Sequence, residues 1–136
     1  MSEDTLTVGW REWVALPDLG LMAIKAKVDT GARTSALHAF ELDSYLAGDS
    51  LRVRFRMHPR QRDLETVIEC DAPVHDKRWV TDSGGHREER FVIVTRLKVT
   101  ASQSWPIELT LTSRDDMKFR MLLGRTAMSG RMLVSP

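Results

Sequence analysis

The stretch "LMAIKAKVDTGARTSALH", Leu21 to His38, decides how the chain is read. Met22, Ile24, Ala26 and Val28 recur at every second position, the period of a β-strand with one apolar face. The strand then runs straight into Asp29-Thr30-Gly31. Upstream, Trp10 to Leu16 reads as a partner strand, joined by the turn-forming Pro17-Asp18-Leu19-Gly20. Downstream, Ser35 to Leu46 has room for a helical turn, with apolar spacing too brief for a longer helix.

Alternation is clearest in "LRVRFRMH", Leu51 to His58, which predicts Val53, Phe55 and Met57 on a buried face and Arg52, Arg54, Arg56 and His58 on the other. Leu64 to Cys70 is a further strand, ended by Pro73. Arg78 to Asp82 and Arg87 to Thr95 form a hairpin around "SGGH", Ser83 to His86, whose glycines suit a mobile tip. Leu97 to Thr100 and Trp105 to Thr112 form another, with Pro106 pointing to an edge or bulge. "SRDDM" is a turn, Phe119 to Leu123 an apolar strand, Thr126 to Met128 the start of a short helix, and Leu133 and Val134 close the fold. Many short strands with glycine-bearing connections predict an all-β, closed antiparallel barrel with a flap hairpin and a short helical turn.

The 136 residues suit a single domain spanning 1–136. Lys and Arg total 20 against 19 Asp and Glu, so overall charge gives no warrant for nucleic-acid capture. The lone Cys70 reads as a small buried hydrophobe and leans towards a reducing compartment. The polar start "MSEDTLTVG" lacks the features of a signal peptide, and no apolar run reaches membrane-spanning length, which makes cytoplasmic the expected location.

The two segments "AKVDTGARTSAL" and "FRMLLGRTAM" together resemble the retropepsin-like aspartic peptidases. From "GWREWVALPDLGL" through "HREERFVI" and "SWPIELTLTSRDDMKFRMLLGRTAM" to "GRMLV", nearly the whole chain looks like the bacterial family named ATP-dependent zinc proteases, also described as RimK-associated retropepsin-like proteins. The resemblance implies a retropepsin-like barrel acting as a homodimeric aspartic endopeptidase, with Asp29 catalytic and its partner carboxylate supplied by the other subunit. It further implies Thr30, Gly31 and Ala32 as substrate-binding, with Ser83, Gly84 and Gly85 as the flap, while Arg33, a departure from the viral pattern, reads by its charge as a substrate-binding ligand for carboxylates. Leu122, Leu123, Gly124 and Arg125 would support the active-site loop. Viral members place an acidic residue where this chain has Arg33, so Arg125 needs another partner among Asp82, Glu88, Glu89, Asp115 and Asp116.

The family includes members encoded beside ATP-grasp ligases that add glutamates to a ribosomal protein, which makes glutamate-rich tails the expected substrate and such a ligase an expected functional link. The run Arg52, Arg54, Arg56, His58, Arg60 and Arg62 reads first as a solvated strand face and second as a surface for acidic peptides. Two alternatives accompany the peptidase reading: a non-catalytic module that binds acidic protein segments, and a zinc metallopeptidase. His38, His58, His75 and His86 show no zinc-ligand spacing, and no phosphate-cradling GxxxxGK[ST] or GxGxxG occurs, so neither a metal nor a cofactor is expected. Trp10, Trp13, Trp79 and Trp105 read as wedges in the core or at a dimer interface.

Overall fold

The computed structural model describes residues 6–9, 11–60, 63, 65–81, 84–113, 119–129 and 132–134. Its strands are β1 (Leu6–Val8), β2 (Arg11–Leu16), β3 (Leu21–Val28), β4 (Ser35–His38), β5 (Phe40–Ala47), β6 (Ser50–Met57), β7 (Ile68–Pro73), β8 (Asp76–Thr81), β9 (Arg87–Thr100), β10 (Gln103–Thr112), β11 (Met121–Leu123) and β12 (Met132–Val134). A 3-10 turn, Pro17–Leu19, joins β2 to β3, and a four-residue helix α1, Arg125–Met128, follows β11. Trp10, Arg62, Leu64, Asp82, Ser83, Asp115 and Asp116, all named above, lie outside the described residues.

Six strands in the order β10-β4-β11-β3-β2-β9 close into a barrel through the β9–β10 pairing, with β8 added along the first half of β9. The barrel is mixed, which corrects the antiparallel arrangement expected: β4 pairs parallel with β10, and β11 parallel with β3. The physical reason is that β3 and β11 must end side by side for their following loops to meet, and the long intervening chain permits a parallel crossover. Alternation within one strand carries no information about that direction. β1 and β12 form a separate parallel pair.

The β2–β3 pairing also revises the inward face of β3. Its register shifts between Val14, opposite Ile24, and Leu16, opposite Leu21. The irregularity turns Leu21 into the core and leaves Met22 66% exposed, while Ile24, Ala26 and Val28 stay fully buried. The helical turn expected within Ser35 to Leu46 is replaced by β4 and β5, because Ser35–His38 are buried on both faces between β10 and β11.

The second sheet, β5-β6-β7, is antiparallel and shares its apolar face with the barrel core. Val53, Phe55 and Met57 are fully buried, as alternation predicts, each contributing roughly 1.5–3 kcal/mol of burial. His58 departs from the pattern: it is buried and stacks on Phe40 at 4.2 Å. Cys70 is buried as expected, its Sγ 3.4 Å from the Leu19 carbonyl oxygen, and burial pushes its thiol up to about 12. Trp105 is a buried wedge whose Nε1–H donates to the Ala127 carbonyl at 2.8 Å. Trp13 and Trp79 are instead more than half exposed in the single chain, so neither is a wedge in its core.

Candidate functional site

The end of β3 positions the site. Asp29 N–H donates to the Leu123 carbonyl at 2.9 Å, continuing the parallel β3–β11 ladder one step beyond Val28. The chain then turns: Ala32 N–H donates to the Asp29 carbonyl at 3.2 Å, and Gly31 N–H to Asp29 Oδ1 at 3.0 Å. One carboxylate oxygen of Asp29 is therefore used to hold its own turn, the local bonding for which aspartate is favoured there.

The loop is stitched to the segment after β11. Gly124 N–H donates to Ser35 Oγ at 2.9 Å, and Arg125 N–H to the Ala32 carbonyl at 2.8 Å. The Arg33 carbonyl accepts both Thr126 N–H at 3.0 Å and Thr126 Oγ1–H at 2.9 Å. Gly124 is required by contact: a Cβ there would lie 2.6 Å from the Thr34 carbonyl carbon. The late glycine thus lets two backbones touch, and the hydrogen bonds between them fix where Arg33 sits.

Beside this loop lies a cleft of about 1070 Å³. Asp29, Gly31, Ala32, Arg33 and Thr34 form one wall, and β8 supplies Arg78, Trp79, Val80 and Thr81. Arg90 comes from β9, Glu108 and Thr110 from β10, Ala36 and His38 from β4, with Leu122 and Thr126 completing the lining. Two of its three guanidiniums are tied to carboxylates. Arg78 donates from Nη1 and Nη2 to the two oxygens of Glu108 at 2.8 and 3.1 Å, and from Nε to Asp76 Oδ2 at 2.8 Å. Arg90 Nε donates to Glu88 Oε1 at 2.5 Å. The Arg78 hydrogen bonds pull Glu108 below the usual carboxylate range against an opposing burial cost, and Glu108 and then Asp76 hold Arg78 more firmly protonated. Arg33 is exposed, and no carboxylate among the described residues lies within ion-pair distance of it.

The expected site residues are therefore partly gathered. Asp29, Gly31, Ala32 and Arg33 line the cleft, whereas Thr30 is exposed outside it. The hydroxyls that join the loop to the segment after β11 belong to Ser35 and Thr126. Gly84 and Gly85 sit exposed at the β8–β9 tip, Gly85 with φ of 82°, and neither lines the cleft; strand β8 does, and Ser83 lies outside the described residues. Leu123 and Gly124 are buried beside the loop, and Arg125 contributes its backbone N–H. Of the proposed Arg125 partners, Glu88 is engaged by Arg90 and Glu89 by Lys77 at 3.5 Å. Arg78, Arg90 and Glu108 escaped the sequence reading. Their only signal was charge at strand positions, which looks the same on a solvated face.

The arginine run of β6 is such a face. Arg52 Nε binds Asp71 Oδ1 at 2.7 Å, Arg54 lies 3.9 Å from Asp71 and 4.0 Å from Glu69, and Arg56 is 3.3 Å from Glu41. Among the described residues no three His, Cys, Asp or Glu side chains come together as metal ligands. No helix among them is long and apolar enough to cross a membrane.

Comparison with known proteins adds a family and a set of relatives. Residues 7–136 match the family model RimB-like, described as retropepsin-like aspartic endopeptidase RimB. A probable alpha-L-glutamate ligase of Parasynechococcus marenigrum is 50% identical over 131 residues, covering 96% of this chain and 28% of that protein. One from Desulfotalea psychrophila is 46% identical over 138 residues, covering 100% of this chain and 30% of its own length. The chain thus spans less than a third of these curated relatives. The crystal structure of a Legionella pneumophila protein of unknown function (DUF785) superposes with a TM-score of 0.77 at 24% identity, covering 99% of this chain and 95% of that one. The shared fold is the mixed six-stranded barrel, rather than the antiparallel retropepsin-like barrel expected.

The relatives correct the expected activity. The family description is an endopeptidase's, but the curated relatives are named for ligation of glutamate, neither for aspartic hydrolysis nor for zinc-dependent proteolysis. The carboxylates lining the cleft of the single chain are Asp29, bonded to Gly31 N–H, and Glu108, clamped by Arg78.

Proposed function

The chain belongs to the RimB-like family, and from that premise we propose that its cleft holds glutamate-bearing protein segments in the service of an alpha-L-glutamate ligase. Glutamates joined through their α groups keep their side-chain carboxylates, so each addition makes the segment more anionic. A site for such a segment needs a fixed guanidinium with bonding capacity to spare, since bidentate arginine–carboxylate pairs combine charge with direction.

Arg33 is the observation that carries the reading. Its carbonyl is pinned by two hydrogen bonds from Thr126, its side chain stands at the cleft, and no described carboxylate neutralises it. Arg78 and Arg90 also line the cleft, each tied to carboxylates. The bond-forming step is not assigned to these residues; ligation belongs to the larger proteins of which such a chain forms under a third. Residues 1–136 act here as one unit, in the cytoplasm, and as a homodimer with the exposed Thr30-Gly31 turns facing each other. Sedimentation giving a monomer at working concentration would remove the dimer from this reading without touching the cleft.

The test is calorimetric. A peptide ending in four glutamates is expected to bind, its glutamine counterpart to bind far more weakly, and Arg33→Ala to lose about tenfold in affinity for the first. Equal affinity for the two peptides would overturn the reading. So would steady cleavage of the glutamate peptide that disappears in Asp29→Asn.

A further inference from the structure

The reading of the cleft as an acidic-segment site leaves one feature unexplained. A carboxylate, Glu108, is built into a cleft meant to receive carboxylates, and it occupies the outer edge of the Arg78 guanidinium with both oxygens. A buried structural ion pair would explain the contact, but neither side chain is buried: each keeps 38% of its surface exposed. The pair stands in the cleft wall, where a ligand reaches it.

We propose that Arg78 is a second carboxylate subsite of the cleft, and that Glu108 is its internal stand-in, displaced when a glutamate side chain of the bound segment takes the same guanidinium edge. The inference rests on the acidic-segment reading above and adds a residue and a competitor to it.

The geometry supplies what such an exchange needs. Arg78 is held from its other side, Nε to Asp76 Oδ2 at 2.8 Å, so its Nη edge stays aimed at the cleft when Glu108 leaves. Glu108 has a second contact besides Arg78, because His75 Nε2 lies 3.4 Å from its Oε2. His75 is itself anchored, its backbone N–H donating to the Val92 carbonyl at 2.8 Å. A ligand carboxylate therefore replaces one bidentate pair by another, and only a group able to make the same two parallel bonds displaces Glu108 without loss. A serine or glutamine side chain would leave the pair closed. The stand-in thus raises selectivity by making weaker ligands compete with an intramolecular carboxylate.

Removing the competitor provides the test. Glu108→Gln preserves size and one acceptor but cannot match the bidentate charge, and it is expected to bind the tetraglutamate peptide about tenfold more tightly than wild type. Arg78→Lys, which keeps the charge without the fork, is expected to weaken binding about tenfold and to abolish the gain from Glu108→Gln in the double variant. Thermal unfolding of each variant identifies any that fails to fold; for those, exchange of Glu108 for Asp, which shortens the stand-in and loosens its fork, is read in the same way. If wild type and Glu108→Gln bind the peptide equally, or the variant binds more weakly, the stand-in proposal falls while the acidic-segment reading stands. If neither binds it, both fall. Binding by Glu108→Gln alone would support the stand-in.

Discussion

Two arginine-bearing surfaces of this molecule have opposite fates. On β6, Arg52, Arg54 and Arg56 project in a row that is plain in the sequence, and each meets acidic residues of the flanking strands, Asp71, Glu69 or Glu41. In the cleft, Arg33 comes from the loop after β3, and Arg78 and Arg90 from facing positions of the β8–β9 hairpin; the hairpin pair is tied to Asp76, Glu108 and Glu88, whereas Arg33 has no described carboxylate partner. A row of like charges on one strand is readily neutralised by its neighbours, because cross-strand pairing places opposite charges beside it. Arg33, carried by a loop outside any such ladder, escapes that compensation, and it is the one left for a ligand.

The largest expected effect strikes the support of the cleft. Gly124→Ala places a Cβ against backbone at 2.6 and 2.8 Å, atoms of Thr34 that cannot rotate away. It is expected to destabilise the protein by about 1–3 kcal/mol and to lose tetraglutamate binding, read by thermal unfolding and calorimetry. Wild-type stability in this variant would mean that the two segments are not tightly joined.

Next comes the direct comparison. Arg33→Ala is expected to cost about tenfold in affinity for the acidic peptide, and Arg54→Ala less than about twofold, because Arg54 is exposed and already shared between two carboxylates and the Tyr45 ring at 4.7 Å. An equal loss at both positions would erase the distinction between the surfaces.

How far each surface was legible follows from the range of the interactions that make it. The β6 strand declares itself because its alternation is local: Val53, Phe55 and Met57 face inward on geometry alone. The Asp29 turn is likewise visible, since Asp, Thr and Gly carry turn chemistry in their side chains. What stayed hidden depends on how segments pair, whether neighbours in a hairpin or far apart in the chain. Parallel β11–β3 register, the β2–β3 irregularity that expels Met22, and the approach of Arg78 to Glu108 leave no trace in any short window. The expected peptidase activity failed for a related reason: a short motif specifies a turn more securely than it specifies what the surrounding charges do.

Acid titration sharpens the β6 side of the comparison. Tyr45 first, and then Arg52, hold Asp71 below its ordinary carboxylate range through hydrogen bonds. A carboxylate with a depressed folded-state pKa stabilises the protein fully above its unfolded value, about 3.9, and loses that contribution as pH falls through the folded one. Asp71→Asn is therefore expected to flatten the acid limb of stability below about pH 4 and leave peptide binding unchanged. An unchanged acid limb would show that the ladder pairing adds nothing in solution.

The smallest effect is a control on the shared core. With its thiol pushed up to about 12 by burial, Cys70 is expected to resist alkylation at pH 8 in the folded protein and to react on unfolding. Ready alkylation of the folded chain would mean that the two sheets open.

The seam between Asp29–Ser35 and Leu123–Thr126 also has a consequence in time. Its bonds join residues as far as 94 positions apart, so a ribosome must make the chain through Thr126 before the loop that carries Arg33 is closed. Strands β2 and β3 can pair early as a local hairpin, but Arg33 acquires its fixed place only when Thr126 emerges. A nascent chain that stops short of Thr126 therefore lacks the fixed Arg33 on which the acidic-segment reading rests.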